Sequence, residues 1–249
     1  MEKTIIKEKK KVKLKNPVMV TGLPGIGLVG QVAGRYIIKK LKGEKIAEIY
    51  SPHFPHQALM GKKGGLRLLK NTIYRVKGKK GDILMVIGDV QAISSVGQYE
   101  VADAVLDYAE EKGVNLIITI GGYSTGKVEA ERRVFGSANN KRIKKEMEKK
   151  GVIFGETRGS IVGIAGLLPG LAHFRKIDAL CIMGETHGSY VDHTSAKNVV
   201  KKLAELLDFQ INLEELEKEA KGREKVIKKI EKEVEQQMAG AKSDTTYIR

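Results

Sequence analysis

The stretch VMVTGLPGIGLVGQVAGRYIIKKL, Val18 to Leu41, passes from an apolar run through four closely spaced glycines into a helical pattern. Within it Gly25, Gly27 and Gly30 spell G-x-G-x-x-G between a strand and a helix. In dinucleotide-binding units that arrangement holds a pyrophosphate at the helix N-terminus. Two features depart from it here. Pro24 stiffens a turn that would have to wrap closely around phosphate. The acid that would bind a ribose, due about twenty residues on at the tip of the next strand, is also missing: KIAEIYSPHFP puts Glu48 inside that strand and leaves Ser51 and Pro52 at its end. The glycines are therefore read as places where helix and sheet backbones approach closely, and no cofactor is expected.

Three further apolar runs follow, at Ile83–Ile87, Leu116–Ile120 and Ala179–Met183. With Val18–Thr21 they read as buried parallel strands, each ending near glycine. Helical patterns over Leu28–Leu41, Tyr99–Lys112, Ala138–Lys150 and Ser195–Leu207 separate or follow them. In the second of these, Val101, Ala104, Val105 and Tyr108 repeat at the spacing of one helix face. The alternation predicts an α/β fold, a three-layer sandwich whose mostly parallel sheet is covered on both faces. LRLLKNTIYRVKG, Leu66–Gly78, reads as an antiparallel ribbon turning at Asn71, which makes the sheet mixed.

Residues 1–212 form the expected α/β domain, and residues 213–249 a charged helical extension with a loose terminus. The extension carries nine acidic and nine basic residues and so adds nothing to the net charge. A heptad frame from Leu213 places Leu213, Leu216, Ala220, Arg223, Ile227, Ile230, Val234 and Gln237 at its inward positions. So polar a helix needs a partner for its stripe. A second copy is the favoured partner, which makes Leu213, Leu216, Ile227, Ile230 and Val234 candidate oligomerisation positions. The chain's own domain is the alternative.

The formal charge of +15 invites a nucleic-acid reading, but its distribution argues otherwise. Residues 39–80 carry twelve Lys/Arg against two Glu, and residues 1–16 seven Lys against two Glu. The cations are mostly lysines, with no RNA-binding signature and no interleaved aromatic platform. Abundant Lys and Glu without Trp also fit the surface of a heat-adapted protein. No membrane role is expected: the N-terminus lacks an apolar core after its charges, and Ser160–Phe174 is too short and Gly-rich to span a bilayer. The single cysteine, Cys181, lies in the apolar run DALCIMG and reads as a buried strand residue of a cytoplasmic protein.

Two other motifs might carry chemistry. GGYSTGKV, Gly121–Val128, matches G-x-x-x-x-G-K but has Val128 where a P-loop needs a hydroxyl for magnesium. No clean helix follows to complete a phosphate nest. GETHGSYVDHTSAK, Gly184–Lys197, gathers Glu185, His187, Asp192 and His193 just beyond the last core strand, where open α/β sheets usually bind ligands. It has no recognised metal-ligand spacing, and Asp192 or Thr194 could simply cap the next helix. No metal is expected. The competing enzyme reading, a hydrolase, phosphorylase-like enzyme or ligase, would place Gly25, Gly27, Gly30, Glu185, His187 and Asp192 around a small ligand.

GLPGIGLVG (Gly22–Gly30), SPHFP (Ser51–Pro55), DILMVIGD (Asp82–Asp89), LIITIGGYSTG (Leu116–Gly126), GSIVGIAGLL (Gly159–Leu168) and CIMGETHG (Cys181–Gly188) occur in this order. As an ordered set they resemble the archaeal branch of the proteasome assembly chaperone family over about residues 16–212. The resemblance implies a phosphorylase-like α/β sandwich without an established active site and a homo-oligomer, a tetramer by family form. It also implies binding to the α-ring of the proteasome core particle, with room for a second homologue as partner. Such proteins commonly dock through a C-terminal hydrophobic–Tyr–any-residue motif. Here Tyr247, Ile248 and Arg249 place the tyrosine third from the end, one residue off that pattern. A disordered tail with an aromatic anchor still suits a peptide ligand.

Overall fold

A computed structural model describes residues 1–61, 64–126, 132–156 and 159–222. In chain order they form β1 (Ile5–Glu8), β2 (Val18–Gly22), a 3-10 turn (Ile26–Leu28), α1 (Val29–Lys40), β3 (Glu44–Tyr50), β4 (Ala58–Met60) and β5 (Leu66–Leu68). Then come β6 (Asn71–Lys77), β7 (Asp82–Gly88), α2 (Ser95–Glu111), β8 (Leu116–Ser124), β9 (Val134–Ala138) and α3 (Lys141–Lys149). The series closes with β10 (Ile153–Phe154), α4 (Ile164–Phe174), β11 (Asp178–Thr186) and α5 (His193–Leu207), and residues 214–222 are helical.

The four apolar runs are β2, β7, β8 and β11, and they lie side by side in the order β7-β2-β8-β11, all parallel. Their side chains divide by parity, as a two-residue period requires. Val20, Met85, Ile118, Leu180 and Ile182 meet α1, α3 and α5 on one face. Met19, Leu84, Val86, Ile117 and Ala179 meet α2 and α4 on the other. The architecture is thus the expected three-layer sandwich, with a sheet parallel at its centre. Antiparallel pairing at the flanks makes it mixed: β6, β3 and β1 extend one side, and β9 joins β11 on the other, with β10 parallel to β9. Among the described residues no helix is long and apolar enough to cross a membrane.

The ribbon expected in Leu66–Gly78 is corrected. β5 pairs with β4 in a separate hairpin, and β6 enters the main sheet. Asn71 is no turn residue; it opens β6, fully buried, opposite Ile49 and Gly88. A Cβ at Gly88 would lie 1.7 Å from Asn71 Oδ1, so the glycine makes room for the amide.

The weakly charged Ser160–Phe174 segment supplies α4, with Pro169 inside it. Proline has no N–H to give the carbonyl four residues back, here that of Ala165. Thr119 Oγ1 donates to that carbonyl at 2.5 Å instead. The strand beneath thereby replaces the missing helical bond. Cys181 is buried in β11, and burial pushes its thiol up to about 11, away from reactivity.

The heptad stripe begins on the chain's own surface. Leu216 is fully buried and Leu213 partly so, both against the α1–α5 side of the core. Tyr36 donates its hydroxyl proton to the Asn212 carbonyl at 2.6 Å, and Lys40 meets Glu215 at 2.5 Å. The first turns of the expected extension therefore belong to the packing of the domain. Leu216 leaves no area for a second copy to cover. Ile227, Ile230 and Val234 lie outside the described residues.

Two stability measurements check these contacts. Thr119→Val keeps the side-chain shape but strands the Ala165 carbonyl, and should cost about 1–3 kcal/mol in denaturant unfolding. Leu216→Ala should cost about 2–5 kcal/mol. Because its partners are on the same chain, that loss should be the same at every protein concentration.

Candidate functional site

Parallel β2, β7, β8 and β11 bring their carboxyl ends to one edge of the sheet, where open α/β folds place ligands. The glycine loop after β2 is held there by close backbone approaches. A Cβ on Gly22 would lie 2.3 Å from the Gly30 carbonyl oxygen, and one on Gly30 would lie 2.8 Å from that of Ile120. Gly27 has φ +61°, and its Cβ would meet Thr186 Oγ1 at 2.7 Å. Gly25, by contrast, is extended, and nothing lies nearer than 3.9 Å to where its Cβ would be. The fingerprint glycines thus differ in role: Gly27 and Gly30 seat the entry of α1 against β8 and β11, whereas Gly25 borders open space.

That space is a cavity of about 550 Å³. Its walls are the glycine loop, Gly121–Ser124 at the end of β8, and residues 159–165 leading into α4. Gln91 ties two of these walls together. Its amide nitrogen donates to the Pro24 carbonyl at 2.6 Å, and its amide oxygen accepts from the Ile164 N–H at 3.0 Å. Among the described residues the lining contains no Asp, Glu, Lys, Arg, His or Cys. Hydroxyls, amides and apolar groups alone could hold an uncharged molecule there. They offer no acid or base with a pKa suited to proton transfer near neutrality.

Of the expected ligand-loop residues, only Gly25 lines this cavity; Gly27, Gly30, Glu185, His187 and Asp192 do not. The two carboxylates are instead held by adjacent arginines. Arg133 grips Glu185 with Nε–Oε2 at 3.0 Å and Nη2–Oε1 at 3.1 Å, and its backbone N–H adds a third bond at 3.2 Å. Arg132 Nε donates to Asp192 Oδ2 at 3.2 Å, with both side chains buried. The other oxygen of Asp192 caps α5 by accepting from the Ser195 N–H at 2.9 Å. The Asp192 N–H in turn donates to the Gly27 carbonyl at 2.9 Å, joining this loop to the glycine loop. His187 stacks on Tyr190 with centroids 5.3 Å apart, and His193 Nε2 lies 3.6 Å from Glu219 on helix 214–222. Among the described residues no three His, Cys, Asp or Glu side chains are placed to hold a metal ion.

The P-loop-like motif is partly strand: β8 runs through Gly121–Ser124, while Lys127 and Val128 lie outside the described residues. Glu48, the acid that was out of place for a ribose, is buried in β3 beside Lys9 at 3.1 Å, Lys45 at 3.4 Å and Lys70. Burial alone would raise its pKa, but Lys70, Lys9 and the Tyr50 hydroxyl hold it at about 2. Sequence reading missed Gln91, Arg132 and Arg133. The adjacent arginines in EAERRVFG were the available signal, since two cations next to an apolar strand need two anions.

The Arg133 guanidinium beside Glu185 holds its carboxyl below the usual carboxylate range. The stability it contributes is therefore complete above the unfolded-state pKa and is lost as pH falls through the lower folded value. Glu185→Gln should lower the melting temperature at pH 7. The gap from the unchanged protein should close as the buffer is taken below about pH 4.

The PAC2 family pattern matches residues 19–231. An uncharacterised protein of Methanocaldococcus jannaschii is 36% identical over 244 residues, 98% of this chain and 94% of that protein. The crystal structure of Pyrococcus furiosus PbaB, described as an archaeal proteasome activator, superposes with a TM-score of 0.88 at 35% identity, covering 93% of this chain and 100% of that one. Pyrococcus furiosus PbaA, described as an archaeal homolog of proteasome-assembly chaperone, gives a TM-score of 0.78 at 25% identity over 99% of this chain and 100% of that one. Family pattern, near full-length identity and fold agree: the chain is a member of the PAC2 family.

Proposed function

We propose that the protein is a non-enzymatic, cytoplasmic proteasome assembly chaperone or activator that binds the α-ring of the core particle. The observation that carries this reading is the 35% identity to the Pyrococcus activator across almost the whole chain. The local chemistry suits a scaffold. Glu185 and Asp192, the carboxylates at the end of β11 and in the loop after it, are held as partners of Arg133 and Arg132. In this reading the protein is a homo-oligomer, a tetramer by family form. Ile227, Ile230 and Val234 contribute contacts between copies. Tyr247, Ile248 and Arg249 dock into the α-ring, and repeating them across an oligomer raises their effective concentration near a ring of identical sites.

Deleting Tyr247–Arg249 should weaken capture of purified core particle by about tenfold or more, equivalent to about 1.4 kcal/mol or more, and should lower stimulation of peptide hydrolysis. Unchanged binding and hydrolysis would remove the docking role from these residues.

One observation favours a second reading, in which the protein binds a small uncharged molecule: the cavity of about 550 Å³ beneath the glycine loop. A thermal-shift screen with uncharged small molecules, nucleosides among them, tests it, since a ligand bound only by the folded state raises its melting temperature; no shift with any of them would remove this reading.

A further inference from the structure

Lysine runs that stand apart in the sequence meet at one edge of the fold, the edge where the parallel strands begin. Three segments border it: residues 9–16 before β2, residues 41–45 where α1 turns into β3, and residues 77–82 where β6 turns into β7. Contacts join them. The Lys15 carbonyl accepts from the Asp82 N–H at 2.8 Å, and the Lys15 N–H donates to Asp82 Oδ2 at 2.7 Å. Glu44 lies in register with Arg75 of β6, and a Cβ on Gly43 would lie 3.2 Å from the Val76 side chain. In the first segment burial alternates: Val12 and Leu14 pack against the core, while Lys11, Lys13 and Lys15 are exposed. Together the three segments hold ten lysines against two acids, Glu44 and Asp82. Four of those lysines are engaged within the chain: Lys9 and Lys45 with Glu48, Lys10 with Glu44, and Lys80 with Asp208. Asp82 is itself taken by Arg75, at 2.8 Å and 3.1 Å. Lys11, Lys13, Lys15, Lys42, Lys77 and Lys79 remain, exposed and, among the described residues, without an ion pair or side-chain hydrogen bond.

We propose that this edge binds the phosphate backbone of a nucleic-acid duplex without reading its sequence. Charge gives the sign of the occupant. A second copy would bring the same lysines, and the chain's own residues 223–249 carry seven Lys/Arg against five Asp/Glu. Neither offers the surplus of anions that this edge lacks. Chemistry gives the class. Protein interfaces are depleted of lysine and close over apolar anchors, whereas the apolar side chains of these segments, Val12, Leu14 and Leu41, pack inward. The same inward packing leaves no apolar group to enter a bilayer surface. Phosphates need only point cations, and lysine supplies them. The three segments contain no aromatic residue to stack an unpaired base and no arginine to fork onto a base edge. A duplex held by its backbone alone fits all of these features. The inference is independent of the α-ring reading, and either can fail while the other stands.

The test is fluorescence anisotropy of the full-length protein with a labelled DNA duplex of mixed sequence, from about 50 to 200 mM salt. Six lysine–phosphate contacts give log K against log salt a slope of about −5, a loss of about a thousandfold over that range. The triple variant Lys13→Gln, Lys42→Gln, Lys79→Gln should bring the slope to about −3 and weaken low-salt binding by about tenfold or more. Lys141→Gln, Lys145→Gln, Lys149→Gln removes the same charge from exposed positions on α3 and should leave the slope unchanged. All six positions are exposed, so melting temperatures should match that of the unchanged protein. Lys11→Gln, Lys15→Gln, Lys77→Gln serves as the second edge variant should the first melt early. No binding at the low-salt end, or equal weakening in the edge and α3 variants, would overturn the inference. Displacement of the duplex by polyglutamate or by phosphatidylglycerol vesicles at equal charge would overturn it too, and would assign the edge to an acidic protein or to a membrane.

Discussion

The structure depends on one steric constraint: the backbone entering α1 must lie almost in contact with the backbone of the central strands. Gly22 and Gly30 face each other where any side chain would collide with a carbonyl, and a Cβ on Gly122 would lie 2.4 Å from the Ile26 carbonyl oxygen. This approach draws α1 down onto the sheet. The helix can then share a core with α5 and, through Leu216, with helix 214–222. Glycine is required here because every other residue carries the atom for which there is no room.

Much of this fold was legible from the chain alone. A parallel strand buried on both faces must be apolar without alternation, so short runs such as Ile83–Ile87 and Leu116–Ile120 stood out. Helices with one buried face announced themselves by their period. What failed was information held in partners far away in sequence. Asn71 looked like a turn because asparagine usually serves turns, and only the glycine opposite, at position 88, lets it sit in a strand. Helix α4 was hidden by its proline and its lack of polar residues; the Thr119 hydroxyl that rescues it comes from another element.

The cavity was legible in location but not in content. Reading ligand positions from the ends of the strands leads to the edge that carries it, yet the expected residues part company there. Gly25 borders the cavity, while Glu185 and Asp192 turn to arginines that sequence spacing gave no reason to bring near. A buried carboxylate beside a guanidinium gains its stability from remaining ionised. A general acid needs the opposite, a proton held near neutral pH. Glu185, held ionised by Arg133, therefore suits fastening a loop more than moving a proton, while Asp192 spends its two oxygens on Arg132 and on the cap of α5.

The placement of helix 214–222 gives the molecule two opposite poles. It packs on the α1–α5 side, while the apolar groove between α2 and α4 opens from the far side of the sheet. A change at one pole is therefore separated from the other by the full thickness of the sheet, so each can be altered without touching the packing of its opposite.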